Sequence, residues 1–199
     1  MINDLMNSSN SSKNIRRVFI KHNDFICKGD IKGEIILPIS HYVLINSDSN
    51  LNLNPPKIII YGLGSCIALI LYDLQNKTFA MSHILLPHSD QIKDNIQISL
   101  PHEYAGCSVS DLVEDMIIQG AESQNIKAVM IGGSRIFQNQ VNSVGAENIK
   151  VIKCELERLR IRIIREDFGG KRGRNIIYDT KDNSVYVKTT GEEDFRKLL

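Results

Sequence analysis

Two apolar runs, CIALILY at 66–72, which is continuous, and KTFAMSHILL at 77–86, are separated only by Asp73-Leu74-Gln75-Asn76. A run that is apolar on both sides of its pleat has to be covered on both faces. A short polar turn between two such runs predicts a β-hairpin. The hairpin 66–86 is therefore expected to lie centrally in the domain. If the turn is residues 73–76, Tyr72 pairs with Lys77, and counting back along both strands sets His83 directly across from Cys66. Side chains at such positions have Cβ atoms ~4.5–5.5 Å apart. A slip of one residue would send them to opposite faces.

The rest of the chain frames this hairpin. The run 57–61 (KIIIY) reads as a buried strand broken by Gly62-Leu63-Gly64-Ser65. In 108–119, Val109, Leu112, Val113, Met116 and Ile117 fall on one helical face, with Ser108 and Asp111 placed as a capping box and Gly120 as the stop. Apolar spacing through Ile149, Ile152, Leu156 and Leu159 predicts a second helix over 148–160, and strands are expected at 127–131, 161–166, 175–178 and 185–189. Short apolar pieces at 18–20 and 35–37 precede a loop over 46–56, and a second polar loop covers 88–102. Hairpins mixed with strand–helix alternation predict an α/β (α+β) layered sandwich, a β core with flanking helices.

Composition narrows the classes of function. With 199 residues, 42% hydrophobic and 24% charged, the chain has the makings of one domain. Its polar first residues read as a tail over 1–14, followed by a single domain over 15–199 whose core is 57–188. A formal charge of +1 supplies no global field for nucleic acid or an anionic membrane. No apolar run approaches the ~18 residues of a membrane span, and the start of the chain lacks a secretory pattern. A cytoplasmic location with no direct membrane insertion is expected. Cys27, Cys66, Cys107 and Cys154 form no C-x-x-C pair, so free thiols are expected.

The chemistry concentrates at G-L-G-S-C, residues 62–66. A glycine-rich turn can aim successive backbone N–H groups at one point. Acyl transfer needs such donors where negative charge develops on a carbonyl oxygen. Gly64 and Ser65 are the backbone support of this oxyanion site, with the N–H groups of Ser65 and Cys66 as donors. Cys66 is the candidate nucleophile and His83 its base, through a thiolate–imidazolium pair that would lower the cysteine pKa. On these residues alone, a hydrogen-bonded core histidine and a small buried cysteine stay open as alternatives. His83, His88, His102 and Cys107 match no compact zinc spacing, so no metal and no organic cofactor are expected. Lys171-Arg172-Gly173-Arg174 reads as a solvated turn or structural arginine rather than a phosphate site.

The motifs G-L-G-S-C-I-A-L-I-L-Y-D and A-M-S-H-I-L-L-P resemble the signature of the CheD family of chemoreceptor glutamine deamidases, with seventeen residues from Cys66 to His83. The resemblance continues at Tyr104-Ala105, at Ile131-Gly132-Gly133 with Phe137, at 144–148 (VGAEN), and at Glu166-Asp167 with Gly169-Gly170 and Arg174. It covers about residues 57–188. It implies a layered β core and hydrolytic deamidation of glutamine side chains on chemoreceptor cytoplasmic helices, with Cys66 and His83 catalytic. It also implies possible docking to a CheC-type phosphatase. A generic thiol peptidase fits less well, because no second cleft-forming domain is evident. The family pattern carries a threonine where this chain has Ile60, a position thought to help orient the histidine. An isoleucine cannot do so, and Ile60→Thr is accordingly expected to raise turnover. A weakly active or inactive protein that only docks is the alternative.

Overall fold

The predicted hairpin is the middle of a seven-stranded sheet. In a computed structural model of the chain, residues 17–22, 25–26, 33–46, 57–88, 104–136 and 143–199 are described. The expectations for 1–14, for the loops 47–56 and 89–102, and for Cys27, His102 and Phe137 lie outside those residues. The strands are β1 (Arg17–His22), β2 (Phe25–Ile26), β3 (Glu34–Ile36), β4 (Tyr42–Asn46), β5 (Lys57–Leu63), β6 (Ile67–Asp73), β7 (Thr78–Ile84), β8 (Lys127–Gly132), β9 (Arg162–Phe168), β10 (Arg174–Asp179), β11 (Ser184–Thr189) and β12 (Arg196–Lys197). The larger sheet has the order β2-β1-β4-β7-β6-β8-β9, and the smaller, five-stranded one β12-β11-β10-β5-β3. Helices α1 (Ala105–Ile118) and α2 (Val144–Arg158) complete the described elements used below.

The layers follow from the apolar pattern. Every residue of β6 and of β7 is buried. One face of the large sheet, with Cys66, Ala68, Ile70, Met81 and Ile131, packs on Ile58, Ile60, Ile176 and Val187 of the smaller sheet. The opposite face, with Ile67, Leu69, Leu71, Ala80 and Met130, packs on Val109, Leu112 and Met116 of α1 and Ile152 and Leu156 of α2. The fold is thus α+β: a mainly β core flanked on one side by helices, with the 66–86 hairpin central and the helices outside, as the sequence predicts.

The hairpin register differs from the expected one. Asp73 pairs with Thr78, and the loop is residues 74–77. The Asp73 carboxylate accepts from the backbone N–H groups of Gln75 and Asn76, and Lys77 takes φ 49°. The turn therefore closes one residue later on each strand. His83 lies opposite Ala68, not opposite Cys66. The shift is two residues in register, so the faces are preserved.

Both helices start earlier than their apolar spacing suggests. α1 begins at Ala105, with Tyr104 at the N-cap and no side-chain cap. Ser108 is inside the helix, its hydroxyl donating to the Tyr104 carbonyl at 2.7 Å, so the expected Ser108/Asp111 capping box is absent. A bridge from Leu86 to Tyr104 and the Ala105 N–H to Leu86 carbonyl bond fix the start instead. Gly120 ends the helix as expected, at φ +99° with its N–H on the Ile117 carbonyl. α2 begins at Val144, capped by Ser143, whose side chain accepts from the Ala146 N–H.

Candidate functional site

Residues 64–66 carry the chain from the smaller sheet to the larger one, between β5 and β6. Each of the three carbonyls in this crossover is pinned. The Gly64 carbonyl accepts from the Ser134 N–H at 2.8 Å, and the Cys66 carbonyl from the Gly133 N–H at 2.9 Å. The Ser65 carbonyl accepts from the Asn148 side-chain amide at 3.1 Å. The glycines of 132–133 exist for this closeness. A Cβ at Gly132, φ +120°, would sit 2.2 Å from the Cys66 carbonyl oxygen. Gly133 and Gly145 approach backbone to backbone, where a Cβ on Gly145 would meet the Gly133 carbonyl oxygen at 2.5 Å.

Behind the crossover stands a buried ion pair. Arg174 is 7% exposed, and its guanidinium pairs with Asp167 at 2.8 Å while donating to the Ser134 hydroxyl and the Gly169 carbonyl. Ser134 thus takes Arg174 on its side chain and Gly64 on its backbone. Of the basic run 171–174, then, Arg174 is an internal brace, as the structural reading expects. Arg196 of β12 also reaches Asp167.

His83 reaches the same side of the large sheet. Its strand neighbours Phe79 and Met81 belong to the inter-sheet cluster that also contains Cys66 and Ile60. With His83 opposite Ala68, Cys66 is its diagonal neighbour just beyond the last pair, Ile67 with Ile84. Diagonal positions lie ~7–8 Å apart at the backbone, and Cβ atoms somewhat less, within reach of a long side chain. The His83 Nδ1 is 3.3 Å from the Leu37 carbonyl. A carbonyl only accepts, so Nδ1 is the donor, and in the neutral ring Nε2 then keeps its lone pair. Leu37 lies between β3 of the smaller sheet and β4 of the larger. Ile60 is fully buried apolar core, so this bond on the His83 ring comes from main chain and not from position 60.

Burial sets the protonation of both groups. It pushes the Cys66 thiol above its ordinary value, against a smaller opposing pull from the residue's own backbone N–H. It also pushes His83 below its ordinary 6.5, with the Leu37 bond pulling upward and His41 nearby adding to the fall. Cys66 is 8% and His83 4% exposed, and burial of this kind disfavours the charged form of each group.

The side chains next to the site in sequence point elsewhere: Ser82, beside His83, is buried on the helix side of the sheet, and Tyr61, beside Ile60, is 56% exposed. His88 stands 3.8 Å from Glu147, and Cys107 is exposed on α1. Among the described residues no three His, Cys, Asp or Glu side chains are grouped as a metal site would require, and no helix is long and apolar enough to cross a membrane. Sequence reasoning missed Leu37, Ser134 and Asn148. Asn148 had a visible signal, a carboxamide in the G-A-x-N stretch beside the first helical turn, but its acceptors are 83 and 63 residues away.

Comparison with known proteins finds relatives for the chain. The family model described as CheD chemotactic sensory transduction matches residues 85–189, a span that begins just after His83. A protein of Clostridium botulinum strain Hall, named "Probable chemoreceptor glutamine deamidase CheD", is 39% identical over 149 residues, covering 73% of this chain and 90% of the relative. A protein of the same name from strain Eklund 17B is 38% identical over 149 residues, with the same coverage of each chain.

Proposed function

The chain belongs to the CheD family, and from that premise we propose that it deamidates glutamine side chains on chemoreceptor cytoplasmic helices through Cys66 and His83. The observation that carries the reading is the pairing of a buried thiol with a histidine on the adjacent strand and the same face, the histidine's Nδ1 held by the Leu37 carbonyl. Nε2 of His83 takes the thiol proton as the Cys66 sulfur bonds to the glutamine carboxamide carbon. Charge moves to the amide oxygen, where the N–H groups of Ser65 and Cys66 receive it. His83 returns the proton to the amide nitrogen, ammonia leaves, and a thioester remains. Water, deprotonated by His83, then cleaves the thioester to give glutamate and the free thiol. Every step uses groups of the chain, substrate and water. The test is mass spectrometry of a recombinant receptor cytoplasmic domain after incubation with the protein. A gain of about one dalton at specific glutamines is expected, and an unchanged mass after prolonged incubation sinks the reading.

Burial that disfavours both charges sets the expected pH profile. The base works only when unprotonated, so kcat/KM rises with pH. Because burial lowers the His83 pKa, the midpoint of that rise is expected on the acid side of 6.5. A raised thiol pKa means no loss of a charged pair near neutrality, so activity holds to at least about pH 8.5, the free thiol value. A descending limb below that pH, lost in His83→Ala, would point to a thiolate–imidazolium pair instead.

The same geometry revises the expectation for Ile60. With Nδ1 already bonded to Leu37, a threonine hydroxyl at position 60 has no vacant role on that nitrogen. Ile60→Thr is expected to change turnover by less than about threefold, under 1 kcal/mol of barrier. It is also expected to destabilise the inter-sheet core by roughly 1–3 kcal/mol through a buried hydroxyl. Steady-state assays and thermal melts read the two effects separately.

The burial of the thiol favours one second reading, a family member that docks to receptors or to a CheC-type phosphatase without catalysis. Iodoacetamide labelling separates the two. An enzyme's Cys66 labels at a rate that changes when His83 becomes alanine, whereas an inert cysteine labels identically in both proteins.

A further inference from the structure

Asn148 is fully buried in the first turns of α2, and its side-chain Nδ2 donates to two carbonyls at once: Ser65 at 3.1 Å and Leu85 at 3.0 Å. The first belongs to the crossover that precedes Cys66, the second to the residue two beyond His83. The two acceptors also fix the amide's orientation, since turning it over would set its oxygen against both carbonyls. Both Nδ2 protons are thereby used. The other end, Oδ1, is buried with no partner among the described residues.

We propose that Asn148 is a positioning residue that aims the oxyanion-binding N–H of Cys66. The inference rests on the deamidase reading above. Its geometry follows from the planarity of the peptide bond. Ser65 C=O and Cys66 N–H belong to one peptide plane, and in a trans peptide they point in opposite directions. Holding the oxygen toward α2 turns the N–H away from α2. The neighbouring carbonyls of Gly64 and Cys66 are held by Ser134 and Gly133, so the Ser65 peptide is the one plane in the crossover that depends on a side chain. The bond to Leu85 adds a second constraint. It ties the end of β7 to the beginning of β6, where the Cys66–His83 diagonal lies outside the regular ladder.

A residue that acts through the oxyanion donor affects acyl chemistry and spares reactions without an oxyanion. Alkylation of Cys66 by iodoacetamide is a displacement at a saturated carbon and needs no such donor. Asn148→Ala is therefore expected to lower kcat for deamidation of a recombinant receptor cytoplasmic domain by about 100-fold. KM and the rate of Cys66 alkylation should both stay within about twofold, a change worth less than 1 kcal/mol. Asn148→Ser, which keeps one donor on a shorter stem, is measured in parallel and carries the test if the alanine variant does not fold. Its expected loss is smaller, again confined to kcat. Equal losses in deamidation and alkylation would mark Asn148 as a packing residue and overturn the proposal. So would deamidation at the wild-type rate in whichever variant folds. Wild-type deamidation by Cys66→Ala, in contrast, would remove the underlying reading and not only this inference.

Discussion

Cys66→Ala is expected to abolish deamidation, by at least about 10⁴-fold, while leaving the fold in place. In the proposed reaction the sulfur is the atom that bonds to the substrate carbon, and among the described residues no neighbouring thiol could substitute for it. Cys107 and Cys154 are exposed on the helices, away from the inter-sheet face that holds His83. The structural penalty is small by comparison. Removing one sulfur from the edge of a packed cluster costs on the order of 1 kcal/mol, so the thermal midpoint should fall only a few degrees. Ammonia release and receptor mass give the activity, and a thermal melt the control. Cys66→Ser is expected to be nearly as inactive, because a serine hydroxyl is a far weaker nucleophile beside a neutral imidazole. Deamidation near the wild-type rate in Cys66→Ala would refute the nucleophile assignment.

Gly132→Ala is expected to damage both stability and activity although it adds one methyl group outside the Cys–His pair. The new Cβ would lie 2.2 Å from the Cys66 carbonyl oxygen and 2.8 Å from a Leu63 methyl, at a φ of +120°. Neither the backbone oxygen nor the strained angle yields cheaply. Strain alone costs about 1–3 kcal/mol, and the clash adds to it, so a loss above roughly 3 kcal/mol is expected. In the fraction that folds, the displaced crossover moves the nucleophile, and a shift of about 1 Å can cost 10²-fold in rate. Gly62→Ala is the control. Gly62 also has a positive φ, +66°, but nothing lies within 4 Å of its would-be Cβ. It should cost only about 1–2 kcal/mol and leave the reaction rate nearly intact. Similar stability losses in the two variants would show that the close approach at Cys66 does not matter.

The contrast between these glycines marks where the sequence stops being readable. Both look alike as letters, and only the tertiary approach of β8 to the crossover separates them. The runs at 66–72 and 77–86 announced a buried hairpin because the first is apolar at every position and the second carries apolar residues on both sides of its pleat. The alternating faces of Cys66 and His83 survived even though the register was misjudged, since a two-residue shift keeps the same side of the pleat. What the letters hid was the Asx-type closure by Asp73 and the left-handed Lys77, which move the turn by one residue on each strand. α1 was legible in its apolar stripe and illegible in its first turn, because its start is set by Leu86 across the chain. Local spacing suggests an ion pair, whereas the burial that disfavours both charges is a property of the packed layers, which no local spacing carries.

The partner of His83 has a consequence for how such a site is mapped. Alanine scanning removes side chains, and the group that holds this imidazole is the Leu37 carbonyl, which every amino acid would also provide. A scan across the region would return a nucleophile and a base with no third member, and would suggest a dyad left to orient itself. In the proposed site the third member is the Leu37 carbonyl, written in the path of the chain between two sheets. Selection can keep it without keeping any particular letter at position 37, and it would yield to an ester-for-amide or other main-chain replacement that weakens that one acceptor.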